Sequence, residues 1–279
     1  RSLVGSEMCI RDRFNIGYLV YLGFDLNFEE DLKYVIQQFK AEGITDLILD
    51  LRFNNGGSVE LARYLAASIA GTSHRSDVFM RMQRNSGADE YIRFGDGDDL
   101  NLKSVRIICS EETASASELI ISGLRGIDFP VKLFGSRTEG KNVGMEVQEY
   151  KYGNKYYEFA PITFRSFNAK DWGDYADGID PDVMLNNQNS SYEDDIDNVF
   201  PYAFGDWDNF DFNYPLYWAL CDVQGVDPTT GEPVKRSGRA GLTRSSKDEI
   251  IRVPSVPLKR PAGTFGSLIY NKPEVENLY

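Results

Sequence analysis

The residues with the clearest chemical potential lie in the segment ETASASEL, which runs from Glu112 to Leu119. Apolar residues follow Ser115 at helical spacing, so we expect Ser115 to open a helix and to present its hydroxyl there. The Ala116 N–H beside it, one of the amides that a helix start leaves without a partner, could stabilise an oxyanion. Ser115 with Glu118 three residues later also fits a capping box, and this segment alone favours that structural role.

A lysine is delivered by the turn GSRTEGK, from Gly135 to Lys141. A free lysine has a pKa of about 10.4, and burial can lower it to about 7–8, where the neutral amine acts as a general base. The Gly and Lys spacing also matches a phosphate-binding loop, but Asn142 stands where a magnesium-binding Ser or Thr is required. A nucleotide site is therefore disfavoured, and an ordinary surface lysine is the structural alternative.

The segment DLRFNNGG, from Asp50 to Gly57, joins a strand pattern to a helix pattern. Paired glycines at such a junction let backbone N–H groups point into a cleft, at a helix N-terminus that favours negative charge. We expect Gly56 or Gly57 to supply one amide of an oxyanion hole, with Ala116 supplying the other. Considered alone, the segment is better explained as a tight turn that needs glycine.

Composition argues against several other chemistries. His74 is the one histidine and lies in the polar stretch GTSHRSD, which disfavours a His-based triad and a metal site built on histidine. Cys109 and Cys221 lack CxxC spacing, and Cys109 lies in the apolar run VRIIC, where we expect a buried thiol. The net charge of -13 without a basic stripe disfavours nucleic acid as a partner, and no apolar run approaches the ~20 residues of a membrane span. We expect neither a metal nor another cofactor.

The elements that must position these segments alternate between strand and helix patterns. The predicted strands are Ile16–Leu22, Asp46–Leu51, Val105–Cys109 and Val131–Phe134. Between them, a helix is expected to begin near Asn27 and to end at Gly43, a second to span Val59–Ile69, and a third to start at Ser115. Asn27 and Glu30 resemble a capping box for the first helix, whose buried face would carry Leu32, Val35, Ile36 and Phe39. This order predicts an α/β fold with a mainly parallel sheet.

The chain after Gly144 and the first thirteen residues differ from this regular part. The run EVQEYKYGNKYYEFAPITF after Gly144 predicts a β-hairpin around a Gly-Asn turn, and a short helix is expected over Tyr214–Val223, closed by Gly225. Residues 1–13, which include Cys9, resemble a translated sequencing adapter, so we exclude them as unnatural. We therefore expect one domain over residues 14–225 and an irregular extension, rich in Gly, Pro, Ser and charge, over residues 226–279.

Taken together and in this order, the three segments resemble the C-terminal processing, or tail-specific, protease family of serine peptidases. Its bacterial and plastid members carry DLRxNxGG, (S/T)ASASE and GxxTxGK elements, which stand here as DLRFNNGG, TASASE and GSRTEGK. The later GIDPDV, from Gly178 to Val183, resembles a further family element, and YPLYWALCDVQG matches the family's closing helix loosely. The resemblance runs from about Ile16 to Val183 and implies a Clp protease/crotonase-like ββα superhelix.

The resemblance also implies residue roles. Ser115 would be the nucleophile and Lys141 the general base, with an oxyanion hole made by Ala116 and by Gly56 or Gly57.

The third catalytic residue stays unassigned, because the chain departs from the family here. Several members place a Gln four residues after the lysine, where this chain has Met145. Gln148 lies three residues further on, and that odd offset puts it on the opposite face of the expected strand. The Asp of some relatives maps near Gly126, with Asp128 as the closest acid.

The function implied by the resemblance is a serine endopeptidase that cuts near the unstructured C-termini of proteins through an acyl-enzyme. Its location would be the periplasm or cell envelope of a bacterium, with or without a lipid anchor, and a PDZ domain would lie in a missing N-terminal part. One alternative is an inactive peptide-binding protein of the same fold, motivated by Met145. Another is a crotonase-like acyl-transfer enzyme, but no basic cluster near the glycine loops offers a site for an adenine-bearing phosphate.

Overall fold

A computed structural model describes residues 15–185, 204–205 and 210–234, together with the backbone of four outlying strands. The strands are β1 (Ser2–Val4), β2 (Glu7–Arg11), β3 (Ile16–Val20), β4 (Asp46–Asp50), β5 (Val78–Arg84), β6 (Glu90–Arg93), β7 (Val105–Cys109), β8 (Val131–Gly135), β9 (Val143–Met145), β10 (Gln148–Tyr152), β11 (Lys155–Phe159), β12 (Ile162–Phe167), β13 (Val183–Met184), β14 (Glu249–Val253) and β15 (Val256–Leu258). The helices are α1 (Glu29–Glu42), α2 (Val59–Ala70), α3 (Ala116–Gly126) and α4 (Phe210–Gln224), with short 3-10 helices at Leu26–Phe28 and Thr72–His74.

The central sheet has seven strands in the order β13-β8-β7-β4-β3-β2-β14. From β13 to β3 all neighbours are parallel, whereas β2 is antiparallel to both β3 and β14. All five residues of β3 and of β7 are buried, as expected for parallel strands covered on both faces. The predicted α/β class with a mainly parallel sheet is confirmed.

Two apolar clusters cover the two faces of this sheet. Alternate strand residues such as Leu19, Leu49 and Ile107 belong to the larger cluster, which includes residues of α1, α2 and α3. The residues between them, such as Ile48 and Ile108, belong to the smaller cluster, which also includes residues of α4. This alternation follows from the two-residue period of a strand, and it explains why the strand sequences are almost continuously apolar.

Helix α1 ends as predicted but begins differently. Gly43 adopts the left-handed conformation, with φ 65°, and terminates the helix, and the four apolar residues predicted for its inner face are buried. The capping box predicted for Asn27 is wrong. The side chain of Asp25 accepts from the Asn27 N–H and caps a 3-10 turn, which leads into α1 at Glu29 without a side-chain cap. The start signal therefore lies two residues earlier, because a 3-10 turn precedes the α-helix.

Helix α4 extends the predicted helix by one turn at its start, contains Pro215, and ends before Gly225. Charge pairs hold it against the sheet. Arg106 of β7 donates from Nε to Asp222 at 3.0 Å, and Lys132 of β8 also pairs with Asp222. No helix among the described residues is long and apolar enough to cross a membrane.

Most of the predicted C-terminal extension lies outside the described residues. The strands β14 and β15 fall within it and pair with β2 and β1, which belong to the stretch that we excluded. The domain division stays a prediction.

A second sheet, antiparallel and of four strands in the order β6-β5-β12-β9, packs beside α3. The packing is close, since a Cβ added to Gly123 of α3 would lie 2.6 Å from the Phe79 ring of β5. Its strand β9 begins two residues after Lys141. The second sheet therefore fixes the chain that leaves the lysine turn.

The predicted hairpin is confirmed as the β10–β11 pair, which turns between Tyr152 and Lys155. All ten of its strand residues are exposed, including Tyr152 at 70 %. It forms a two-stranded sheet of its own. A pair of strands that buries no apolar face contributes little to the stability of a domain.

We expect removal of this hairpin to leave the fold intact. Residues 148–159 would be replaced by an Asn-Gly turn between Val147 and Ala160, next to the Glu146 N–H bond to the Pro161 carbonyl. The melting temperature should change by less than about 4 °C, equivalent to roughly 1 kcal/mol for a domain of this size. Thermal unfolding by circular dichroism measures this, and a larger loss would mean that the hairpin packs against another part of the chain.

Candidate active site

The three segments singled out from the sequence follow three adjacent parallel strands. DLRFNNGG follows β4, ETASASEL follows β7, and GSRTEGK begins at the end of β8. Because β8, β7 and β4 are neighbours in the sheet, their carboxyl ends bring the three loops to one edge. This edge is the usual place for a ligand or substrate in an open α/β sheet.

Ser115 has an unusual backbone and an unusual side chain. Its φ is 61° and its ψ is -113°, a left-handed region that serine rarely adopts. Among the described residues the other non-glycine residues with positive φ are Asn or Asp, the types that tolerate it. Ser115 is 0 % exposed, and its hydroxyl has no hydrogen-bond partner among the described residues. Strain together with an unpaired buried hydroxyl is typical of a functional residue.

Ser115 and Glu118 adopt the capping-box arrangement that the sequence predicts at the start of α3. The Glu118 carboxylate accepts from the Ser115 N–H at 2.9 Å, as a capping box requires. The Ser115 hydroxyl faces the same helix start but makes no cap hydrogen bond among the described residues. The hydroxyl oxygen is therefore not held by a hydrogen bond within the described part of the chain.

Gly56 lies directly against the nucleophile candidate. A Cβ added to Gly56 would lie 2.7 Å from the Ser115 Cβ and 3.0 Å from the Ala116 nitrogen. Its φ of 105° also excludes other residues. The sequence therefore requires glycine here so that the two loops can approach.

Asn54 holds the glycine loop in place, and sequence reasoning missed it. This buried side chain donates from Nδ2 to the Tyr21 carbonyl at 2.8 Å and accepts at Oδ1 from the Gly56 N–H at 2.9 Å. Its backbone carbonyl accepts from the Ala114 N–H at 3.1 Å and from the Ser117 hydroxyl at 2.9 Å. Asn54 thus ties the glycine loop to the serine loop, and its only sequence signal is the Asn pair before the glycines.

The backbone amides of the two loops differ in what they bind. The Gly56 N–H already donates to Asn54. The N–H groups of Gly57 and Ala116 have no acceptor among the described residues. Of the two predicted glycines, Gly57 is therefore the one with an amide available to an oxyanion.

Glu118 connects the serine loop to the lysine loop. It is 0 % exposed and accepts four hydrogen bonds. Oε1 accepts from the Thr138 hydroxyl at 2.6 Å and the Gly140 N–H at 2.7 Å, and Oε2 accepts from the N–H groups of Ser115 at 2.9 Å and Lys141 at 2.8 Å. Burial raises the pKa of Glu118 above its ordinary value, although the four donors favour the ionised form and oppose that shift.

The GIDPDV segment braces the lysine loop from behind. The Thr138 N–H donates to the Ile179 carbonyl at 3.2 Å, and the Ile179 N–H donates to the Thr138 hydroxyl at 2.8 Å. Asp182 accepts from the Leu133 N–H of β8 at 2.7 Å. A Cβ on Gly140 would lie 2.4 Å from the Ala176 carbonyl, so this turn, too, is packed closely. The GIDPDV element therefore supports the GSRTEGK loop that carries Lys141.

The sequence model of peptidase family S41 matches residues 15–185, the part of the chain that carries these loops. The chain belongs to this family. The resemblance to the C-terminal processing proteases is confirmed at this level.

Curated relatives agree with the S41 assignment. The chain is 26 % identical over 174 residues to a "Probable CtpA-like serine protease" of Staphylococcus haemolyticus, covering 61 % of this chain and 33 % of the relative. It is 25 % identical over 196 residues to a protein of the same name in Staphylococcus aureus, covering 69 % and 38 %. The chain thus spans about a third of the length of these relatives.

A crystal structure assigned to an S41 protease of Bacteroides fragilis has a similar fold. The TM-score is 0.64 at 24 % identity, over 78 % of this chain and 57 % of that one. This supports the fold prediction.

The residues considered for a third catalytic role in this S41 chain lie on or next to three different elements. Met145 is half-buried at the end of β9, opposite Ile162, and Gln148 is exposed on the separate hairpin. Asp128 follows the far end of α3 and pairs with Lys170.

The structure also describes Cys109 and His74, which the sequence analysis considered for other chemistries. Cys109 is buried, as predicted. His74 lies in a 3-10 helix and binds Asp77, with 2.7 Å between Nδ1 and Oδ2. It follows the far end of α2, which spans about 18 Å from the glycine loop. His74 therefore belongs to a different part of the surface.

Proposed function

We propose that this protein is a serine endopeptidase in which Ser115 is the nucleophile and Lys141 the general base. The observation that carries the proposal is the buried hydroxyl of Ser115, which lies on a strained backbone beside the glycine loop and has no hydrogen-bond partner within the described residues. Membership of peptidase family S41 supports the reaction class.

The backbone around Glu118 supports the pairing of Ser115 with Lys141. Their two amide nitrogens each lie less than 3 Å from the same carboxylate oxygen. The nitrogens are therefore less than about 6 Å apart, a gap that the four-carbon stem of a lysine can cover. The Lys141 side chain is half-buried.

The proposed reaction is an acyl transfer in two steps. Neutral Lys141 accepts the proton of the Ser115 hydroxyl while its oxygen attacks the peptide carbonyl, and the N–H groups of Gly57 and Ala116 bind the resulting oxyanion. The tetrahedral intermediate expels the amine, which takes the proton from the Lys141 ammonium. Water then attacks the acyl carbonyl while Lys141 takes its proton. The ester bond to Ser115 breaks, the acid product leaves, and the Lys141 ammonium returns the proton to the Ser115 oxygen.

The substrates that we propose are proteins with flexible C-termini. The resemblance to the C-terminal processing proteases supports this substrate class, and an unstructured end can bind without unfolding of the rest of the substrate. The named relatives are bacterial, and we propose the periplasm or envelope as the location, with a PDZ domain elsewhere in the natural protein.

The second candidate function is peptide binding without turnover, which Met145 favours. The methionine offers no hydrogen bond with which to orient the lysine amine. A peptide-binding protein, however, has no chemical need for a strained serine beside a lysine loop.

Labelling with a serine-directed fluorophosphonate separates the two functions. We expect the chain to be labelled at Ser115, located by peptide mass spectrometry, and Ser115→Ala to be unlabelled. The Ser115→Ala variant should be at least as stable as the parent, because it loses a buried hydroxyl that has no partner.

The control for this experiment is Ser122→Ala, a buried serine further along α3, which should be labelled like the parent. A folded parent chain that takes up no label would favour the peptide-binding protein. Label that persists in Ser115→Ala would assign the nucleophile elsewhere.

A further inference from the structure

We propose that Glu118 is a positioning residue that sets Lys141 relative to Ser115 by binding the backbones of both, an inference that rests on the proposed function. The sequence suggested only a helix cap for this side chain.

The hydrogen bonds of Glu118 exceed what a helix cap needs. A cap requires the Ser115 N–H alone, whereas the other three donors belong to Thr138, Gly140 and Lys141, 20 to 23 residues further along the chain. Among the described residues no cation pairs with this buried carboxylate. Its charge is therefore balanced by the dipoles of the two loops that it joins.

The four hydrogen bonds are divided between the two carboxylate oxygens of Glu118, and each oxygen binds a different part of the site. Oε1 binds Thr138 and Gly140 and fixes the turn that precedes the lysine. Oε2 binds the amides of Ser115 and Lys141 themselves. A shift of the carboxylate therefore moves the proposed base relative to the proposed nucleophile, and a misplacement of about 1 Å can slow catalysis by about 100-fold.

Besides Lys141, two described titratable groups interact with the Glu118 carboxylate. The phenol of Tyr175 and the thiol of Cys109 both sense its charge. Burial holds the pKa of each above its usual value, so both are neutral at pH 7 and do not compete for its donors.

The decisive variant is Glu118→Asp, which keeps the charge but is one methylene too short to reach both loops. We expect its maximal rate of inactivation by a fluorophosphonate to fall about 100-fold, with the half-saturating concentration of the probe within about 3-fold of the parent. A milder pair of substitutions at Thr138 tests the hydrogen bond to Oε1. Thr138→Val removes one donor and should slow labelling by roughly 10-fold, whereas Thr138→Ser keeps the hydroxyl and should restore the rate.

The matched control is Asp99→Asn, which weakens another carboxylate that accepts from the backbone N–H groups of two segments, at Thr72 and Asn101, away from the three loops. It should lower the melting temperature without slowing labelling by more than about 3-fold. Equal slowing in Asp99→Asn and Glu118→Asp would overturn the inference, since general loosening would then explain both. If Glu118→Asp does not fold, equal rates in Thr138→Val and Thr138→Ser would overturn it.

The outcome for the parent distinguishes this inference from the proposed function. An unlabelled parent contradicts the function itself. A labelled parent with a labelled, folded Glu118→Asp of equal rate contradicts only the role of Glu118.

Discussion

Replacing Lys141 by Arg should abolish peptide hydrolysis and fluorophosphonate labelling while leaving the fold unchanged. Arginine keeps the positive charge and the hydrogen-bond donors of lysine, so contacts made by the side chain as a cation are largely retained. Its guanidinium stays protonated at any working pH and cannot accept the Ser115 proton. Loss of a general base costs about 10²–10⁴-fold, and we expect at least 10³-fold here, because the unactivated hydroxyl is a weak nucleophile.

The measurement is the second-order rate of labelling at Ser115, followed together with thermal unfolding. Lys132→Arg is the matched control, since it makes the same substitution on β8, where Lys132 pairs with Asp222 away from the loops. Its rate should equal that of the parent. A Lys141→Arg variant that is labelled within 3-fold of the parent would show that another group removes the serine proton, and the dyad would have to be abandoned.

The positions of the proposed nucleophile, base and oxyanion loop could be predicted from the sequence because their signals are local. Each segment directly follows a short apolar strand, and the alternation of strands and helices implies a parallel sheet whose carboxyl ends meet. The strand Val105–Cys109 has the predicted bounds, and the buried face of α1 has the predicted residues.

The contacts that join the loops could not be predicted, because they depend on tertiary structure. Nothing in the spacing of ETASASEL shows that Glu118 reaches a turn 20 to 23 residues later. Asn54 likewise has the sequence signal of an ordinary turn residue, although it binds two other segments of the chain in addition to its own loop. The pairing of β5 with β12 joins residues about eighty positions apart and has no local signal. The Asp25 cap was missed because a 3-10 turn shifts the start of α1.

The site is built at a cost to stability, which argues that its geometry serves a function. Ser115 holds a left-handed backbone that costs about 1–3 kcal/mol, and its buried hydroxyl forgoes a hydrogen bond. Glu118 is a carboxylate in a desolvated position, where burial raises its pKa. A domain selected only for stability would have exchanged these groups for apolar or glycine residues.

Replacing Gly56 by Ala should remove activity and destabilise the chain together. The new Cβ would approach the Ser115 Cβ to 2.7 Å and the Ala114 carbonyl to 3.1 Å, and φ at 105° is strained for any side chain. Backbone groups on both sides cannot yield as a flexible side chain would, so Ser115 must move away from the glycine loop. We expect about 2–4 kcal/mol of lost stability and at least 100-fold slower labelling.

Gly23→Ala is the control that separates this effect from the general cost of replacing glycine. A Cβ on Gly23 meets nothing within 4 Å, so the variant should melt and react like the parent. The rate should be measured at a temperature where Gly56→Ala is still folded, as judged by circular dichroism. If folded Gly56→Ala were labelled as fast as Gly23→Ala, close contact between the loops would not be needed for the reaction. The oxyanion would then have to be stabilised by groups other than the Gly57 and Ala116 amides.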